Sequence, residues 1–276
     1  MQIQQLAINS VTTKHSGLEE ALSAYADAGF RQVEFVLPHV KEWLAQGHTV
    51  ADVRTLLDSY GLRPIGGFQV GLECFSSSEA RKANHALQRE NAQLIHDLGG
   101  GTLVVGTDGP GDPPGKSLAG LEVVAETLNG FLRSIDGLDV TVAIEFNWGP
   151  MVKSFQSAVR ICELADHARA GVLFDPAHYH CTPTKLEHLT PEATAWIRHV
   201  HLDDMRPIPG DLSDCNADRV LPGEGIIPLS DLIAAIEAGG YSGSFSIEMF
   251  NADLWAMPAA QAATLCYESL LPLCSN

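Results

Sequence analysis

The sequence is poor in positive charge. Its 276 residues carry 17 Lys and Arg against 34 Asp and Glu, a formal net charge of −17. Nowhere do about five basic side chains gather, as a patch for nucleic acid or anionic lipid requires, and a surface this acidic repels polyanions. A nucleic-acid binder and a membrane-surface protein are therefore excluded. Long apolar runs are also missing: nothing approaches the ~20 residues that cross a bilayer. The opening MQIQQLAINS has no basic stretch followed by an apolar one, so no signal peptide is expected. Cys74, Cys162, Cys181, Cys215, Cys266 and Cys274 include no C-x-x-C pair and read as free thiols of a reducing, cytoplasmic compartment. No G-x-G-x-x-G follows the first strand candidate, which argues against a doubly wound dinucleotide fold. Low-complexity linkers and a change of composition between the halves are lacking too, so one domain over residues 1–276 is expected.

What is present is alternation. Short β-rich runs at 5–9, 32–36, 63–69, 102–106, 140–146, 171–175, 200–204 and 245–250 are mostly continuous apolar stretches, the pattern of strands covered on both faces. Between them lie segments with apolar spacing near 3.6. Leu18, Ala21, Leu22, Tyr25 and Ala28 form one stripe that stops at Gly29, and a second helix runs from the cap candidate Thr49 to Gly61. Further helices are predicted at 78–98, 117–135, 154–168, 190–197, 229–239 and 258–271. The GGGT at 99–102 precedes a strand and reads as a helix-to-strand turn. Eight strand–helix units specify an α/β fold, a (β/α)8 TIM barrel.

Side chains at the C-terminal ends of barrel strands form the active-site mouth. The fifth strand ends in Glu145 and Asn147; the sixth in Asp175, His178 and His180; the seventh in His199, His201, Asp203 and Asp204; the eighth in Glu248. Each alone has a plain structural explanation: Asp175 as a helix cap, His201 as a core histidine. Together they are harder to dismiss, because three converging carboxylates without a nearby Lys or Arg would repel one another and cost several kcal/mol each to bury. A divalent cation held by Glu145, Asp175, His201 and Glu248 resolves that conflict. The oxygen-rich set with one nitrogen suits Mn²⁺ or Mg²⁺, with Co²⁺ or Zn²⁺ as alternatives, and disfavours thiolate metals.

AIEFN, FDPAHYH, HVHLDD, DRVLPGEG and SIEMF, in that order, resemble the xylose isomerase-like barrel superfamily of sugar isomerases and epimerases, nearest the 2-keto-myo-inositol isomerase type. The resemblance spans the chain, and its specific motifs lie in the second half. It implies the same four metal ligands, substrate contacts at His178 and Arg219, a small sugar or cyclitol as substrate, and a homo-oligomer. The superfamily's apurinic endonucleases use additional histidines on strands two to four. Here strands three and four end without one, and His39 after strand two reads as a surface loop residue.

Isomerising a keto-sugar removes a proton beside a carbonyl and returns it through an enediolate, whose charge a metal stabilises as Lewis acid. Glu145 and Glu248 are the expected proton-transfer pair, approaching from opposite faces. His178 and Arg219 would hold oxygens that gain charge, and His180 would orient a ligand or stack. Glu34 would sit at the second strand's mouth and touch the sugar's far hydroxyls, or else pair with Arg31 or Arg206. Phe68, Trp148 and Trp255 are candidate walls, and the loops 106–117 and 205–225 candidate covers. A dehydratase of an inosose or dehydroshikimate-type substrate needs almost the same residues, and a sugar-binding barrel without turnover is the third alternative.

Overall fold

Parallel strands buried on both faces cannot end in open edges without stranding backbone donors, and here they close on themselves. The computed structural model describes residues 1–109, 118–149 and 151–275. The strands β1 (Leu6–Asn9), β2 (Gln32–Val36), β3 (Arg63–Phe68), β4 (Thr102–Val105), β5 (Thr141–Glu145), β6 (Ala170–Phe174) and β7 (Ile197–Leu202) are followed by a small antiparallel pair, β8 (Asp204–Met205) and β9 (Arg219–Val220). The last strand, β10 (Phe245–Ile247), completes a closed parallel barrel in the order β1-β10-β7-β6-β5-β4-β3-β2. The open-sheet rival is excluded by that closure.

The outer helices follow their apolar stripes: α1 (Leu18–Ala28), α3 (Val50–Tyr60), α4 (Ser78–Leu98), α5 (Leu118–Ser134), α6 (Phe155–Ala165), α9 (Leu229–Ala238) and α11 (Ala259–Leu270). Thr49 caps α3 as expected, accepting the Asp52 N–H while the Asp52 carboxylate accepts the Thr49 N–H. The segment 190–197 holds only α8 (Pro191–Thr194), because β7 starts at Ile197, three residues before the predicted strand. Exposed Arg198 interrupts the apolar run there and hides the strand's beginning. Three short helices at the ends of barrel strands lie outside the predicted helix ranges: α2 (Leu37–Ala45), α7 (Pro176–Cys181), which only the cap reading of Asp175 anticipates, and α10 (Ala252–Ala256). α2 carries a half-buried His39 rather than a surface-loop one. Among the described residues no helix is long and apolar enough to cross a membrane.

The barrel's interior is divided. Val104, Ala143 and Leu173, with Phe68 against them, form a small apolar cluster separate from the main core. The opposite side holds buried Asn9, Glu34, His199, His201 and Ser246. β2 and β7 are not neighbours in the barrel, so Glu34 meets His199 and His201 across the lumen.

The predicted seventh strand ended at Asp204; the observed one ends at Leu202, and Asp204 takes a different role from an acid at the mouth. Its carboxylate accepts N–H groups from Met205 (2.8 Å), Gly223 (3.1 Å), Gly225 (3.0 Å) and Ile227 (2.9 Å). A Cβ at Gly225 would overlap that carboxylate. Asp204 thereby fastens the long 205–225 connection to the barrel. His180 helps: its Nε2 donates to the Ile208 carbonyl (2.8 Å), so it anchors this loop rather than orienting a ligand. Of the loop 106–117, residues 110–117 lie outside the described residues.

Replacing Asp204 with Asn puts amide donors against backbone donors. Urea unfolding of Asp204→Asn is expected to show a loss of about 2–4 kcal/mol; a loss below about 0.5 kcal/mol would contradict its role as the loop's anchor.

Candidate active site

Asp175 directly follows β6 and opens α7, where Oδ1 accepts the His178 N–H (3.1 Å) as an N-terminal cap. The cap leaves Oδ2 free to face inward, 3.4 Å from His201 Nδ1 and 3.1 Å from Arg219 Nη2. Glu248, just past β10, is divided in the same way. Asn9 at the end of β1 donates to its Oε1 (3.1 Å), while Oε2 lies 3.2 Å from His201 Nδ1 and 2.9 Å from Arg219 Nη1. Each carboxylate is thus held by one oxygen and presents the other toward a common point. Asp175, His201 and Glu248 are all buried and offer ligand atoms within 4.8 Å of one another.

Glu145 ends β5 and stands beside this trio. Its Oε1 lies 3.3 Å from His178 Nε2, and Asn147 Nδ2 donates to Oε2 at 3.4 Å. Glu145, Asp175 and His178 form a second set of ligand atoms within 4.8 Å, sharing Asp175 with the first. Of the four predicted ligands, three therefore converge directly and Glu145 adjoins them through Asp175.

His201 shows why the imidazole points as it does. Nδ1 faces Asp175 and Glu248, and Nε2 faces Glu34 at 3.1 Å from Oε2 and 3.2 Å from Oε1. A carboxylate behind one ring nitrogen fixes the proton there and leaves the other nitrogen to bind a cation. The expected place of Glu34, at the mouth against substrate hydroxyls, is corrected: it is 0% exposed, below His201, and does not line the cavity. Its partners are histidines, neither Arg31 nor Arg206. His199 lies deeper still, with Nε2 3.0 Å from Glu34 Oε2 but not aligned for a hydrogen bond. Glu34, His199 and His201 also satisfy metal-ligand spacing, yet of the three only His201 borders the cavity.

Arg219 was expected to hold substrate. It does border the cavity, but it is 1% exposed and four of its five donors are spent on the protein. Nε donates to the Cys215 carbonyl (2.8 Å), Nη1 to the Glu248 carbonyl (3.0 Å) and Oε2, and Nη2 to Asp175 Oδ2. Asp203 Oδ2 lies 2.7 Å from Nη1 without hydrogen-bond alignment. The guanidinium is a fixed counter-charge to the Asp175 and Glu248 carboxylates.

Electrostatics follow from this crowding. Burial alone would raise the carboxyls of Glu34, Glu145 and Asp175, but nearby cationic groups prevail and lower all three: His199 and His201 for Glu34, His178 for Glu145, Arg219 and His178 for Asp175. Burial would equally lower His178 and His201; Asp175 with Glu145, and Glu248 with Glu34, raise them instead. Asp203 is the exception, since burial outweighs Arg219 and holds its carboxyl well above the usual range.

These groups open on a cavity of about 500 Å³ lined by Phe68, Gln69, Glu145, Trp148, His178, His201, Arg219, Glu248 and Phe250 among others. Phe68 and Trp148 form walls as expected. Trp255 does not: its indole N–H donates to the Val11 carbonyl (2.8 Å) and its ring packs under Lys14. Cys215 and Asn216 bring the 205–225 loop to the rim. Asn9 was overlooked, although the polar end of the apolar run AIN carried the same signal as the later strands.

The family's model, a xylose isomerase-like TIM barrel, matches residues 22–268. The chain belongs to that family. Inosose isomerase of Halalkalibacterium halodurans is 32% identical over 126 residues, 45% of this chain and 44% of that protein. The 3-dehydroshikimate dehydratase of Pseudomonas aeruginosa is 27% identical over 263 residues, 93% of this chain and 40% of that protein. The matched stretches thus span under half the length of these curated relatives. A crystal structure described as IOLI protein with a binding zinc atom superposes with a TM-score of 0.87 at 20% identity, covering 98% of this chain and 97% of that one. At that identity the likeness establishes a shared fold.

If Glu34 orients His201, Glu34→Gln should weaken divalent-metal binding by about 10–100-fold, read by calorimetric titration of Mn²⁺ into chelator-stripped protein. Unchanged affinity would contradict that role.

Proposed function

We propose that this member of the xylose isomerase-like family is a divalent-metal-dependent isomerase of a keto-cyclitol of the 2-keto-myo-inositol kind, acting through an enediolate, with one cation held by Glu145, Asp175, His201 and Glu248. The observation that carries the proposal is the convergence of Asp175 Oδ2, Glu248 Oε2 and His201 Nδ1 beside a cavity of polyol size. Every one of these atoms is turned inward by a partner that holds the rest of its side chain. When bound, a divalent cation supplies a Lewis acid for the developing oxyanion; Mn²⁺ or Mg²⁺ suits the oxygen-rich set, with Co²⁺ or Zn²⁺ as alternatives. The zinc named for the IOLI structure supports a divalent ion on this fold.

The chain's own groups supply the proton chemistry. Glu145 borders the cavity and is held ionised by His178 despite its burial, as a base working near neutral pH requires. Glu248 borders it too, fixed by Asn9 and Arg219, and serves as the second proton-transfer group. His178 donates toward an oxygen that gains charge. If a proton returns to the carbon it left but on the opposite face, the same pair of residues epimerises that carbon instead.

Dehydration is the second reading, favoured by the dehydratase relative that aligns along 93% of the chain. Dehydroshikimate carries a carboxylate, however, and among the described residues bordering the cavity the only Lys or Arg is Arg219, already committed to Asp175, Glu248 and Cys215. A neutral polyol needs no such counter-charge. A binding barrel without turnover is disfavoured by the presence of both glutamates at the cavity. The cytoplasm is the compartment that fits.

Deuterium exchange followed by NMR, with Mn²⁺ and 2-keto-myo-inositol in D₂O, tests the assignment. Wild type should exchange solvent deuterium into the carbon next to the carbonyl, and Glu145→Gln and Glu248→Gln should each lose about 10²–10⁴-fold while remaining folded. Near-full exchange in either variant removes that residue from the proton-transfer pair, and accumulation of a dehydrated, conjugated product makes the enzyme a lyase.

A further inference from the structure

A chain of side chains outside the metal-ligand cluster ends at the cavity and has no part in the chemistry above. Lys41, on α2, donates through Nζ to Gln69 Oε1 and to Asn91 Oδ1, both at 2.6 Å. Asn91 Nδ2 donates to Gln88 Oε1 (2.9 Å), and Gln88 Nε2 donates to the carbonyls of Val70 (2.8 Å) and Gly71 (3.3 Å). Asn91 and Gln88, on α4, are 0% exposed.

The direction of every amide in this chain is determined. An ammonium has donors only, so the atoms of Gln69 and Asn91 that face it are oxygens. Backbone carbonyls only accept, so the atom of Gln88 facing Val70 and Gly71 is nitrogen. The two ends agree, and no amide can be turned over without setting donor against donor. Gln69 borders the cavity, its oxygen is taken by Lys41, and among the described residues its NH₂ group donates to no protein atom. Asn147, also at the cavity, spends both ends of its amide on Glu145 and Gly149.

We propose that Gln69 is a specificity residue that donates its side-chain N–H to an uncharged oxygen of the substrate ring, and that Lys41 is the positioning residue that fixes the amide in this sense. Gln69 follows β3, across the barrel from β7 and β10, which carry His201 and lead into Glu248. The oxygen it recognises is therefore on the side of the ring away from the reacting carbons. The same network holds the carbonyls of residues 70 and 71, so the loop that carries Gln69 is fixed at both the side chain and the backbone. The assignment of a polyol ring rests on the isomerase proposed above.

Gln69→Glu separates recognition from structure, because a carboxylate still accepts from Lys41 but has no N–H to give. With Mn²⁺ enzyme and 2-keto-myo-inositol, Gln69→Glu and Gln69→Leu should both raise KM, and the Kd from calorimetric titration, by about tenfold, with kcat within about threefold of wild type. Gln69→Glu should keep the wild-type melting temperature. Lys41→Met, which frees the amide to turn over, should raise KM by about threefold. A Gln69→Glu protein that binds as tightly as wild type overturns the donor role, and a Lys41→Met defect confined to kcat overturns the positioning role. Wild-type protein that binds the ketone without exchanging deuterium overturns the isomerase proposal alone and leaves Gln69 to be judged by Kd.

Discussion

Buried negative charge is the constraint on which this structure turns. Glu34, Glu145, Asp175, Asp203 and Glu248 approach one end of the barrel, all but Glu145 fully buried. Within the protein, Arg219 and the imidazoles of His178 and His201 answer them. The consequences run in one direction: the neighbouring carboxylates favour protons on His178 and His201 and push both up, and burial favours a proton on Asp203 and pushes its carboxyl up. A divalent cation among Asp175, Glu248 and His201 would take over the work of those protons without moving the backbone, because each ligand is already oriented by a partner of its own.

That orientation depends on the barrel. Only a closed sheet lets Glu34 on β2 reach His201 on β7 across the lumen, and lets Asn9 on β1 hold Glu248 beyond β10. The interior accommodates this polar side because the opposite side is filled by Val104, Ala143, Leu173 and Phe68. The connection 205–225, which a loose loop would leave in solvent, is fixed by Asp204 so that Arg219 enters the cluster as a buried charge.

Strand and helix identities were legible because covered strands and amphipathic helices leave different periods in the sequence, and Glu145, Asp175, His201 and Glu248 stood out as polar ends of apolar runs. What was hidden depends on contacts between distant segments. Nothing near Glu34 in sequence says that it faces two histidines more than 160 positions away. Asp204 and Asp203 are adjacent and chemically identical, yet one accepts four backbone N–H groups and the other meets Arg219; only the observed end of β7 separates them. The short helices α7 and α10, of six and five residues, span too little of the 3.6 period to be told from a strand end.

The central claim is that one cation sits where Glu145, Asp175, His201 and Glu248 meet. An anomalous-scattering map from crystals loaded with Mn²⁺ tests it most directly. The account predicts one strong peak at about 2.0–2.3 Å from His201 Nδ1 and from carboxylate oxygens of those residues. A peak at Glu34 and His199 instead, or none at saturating metal, would contradict it.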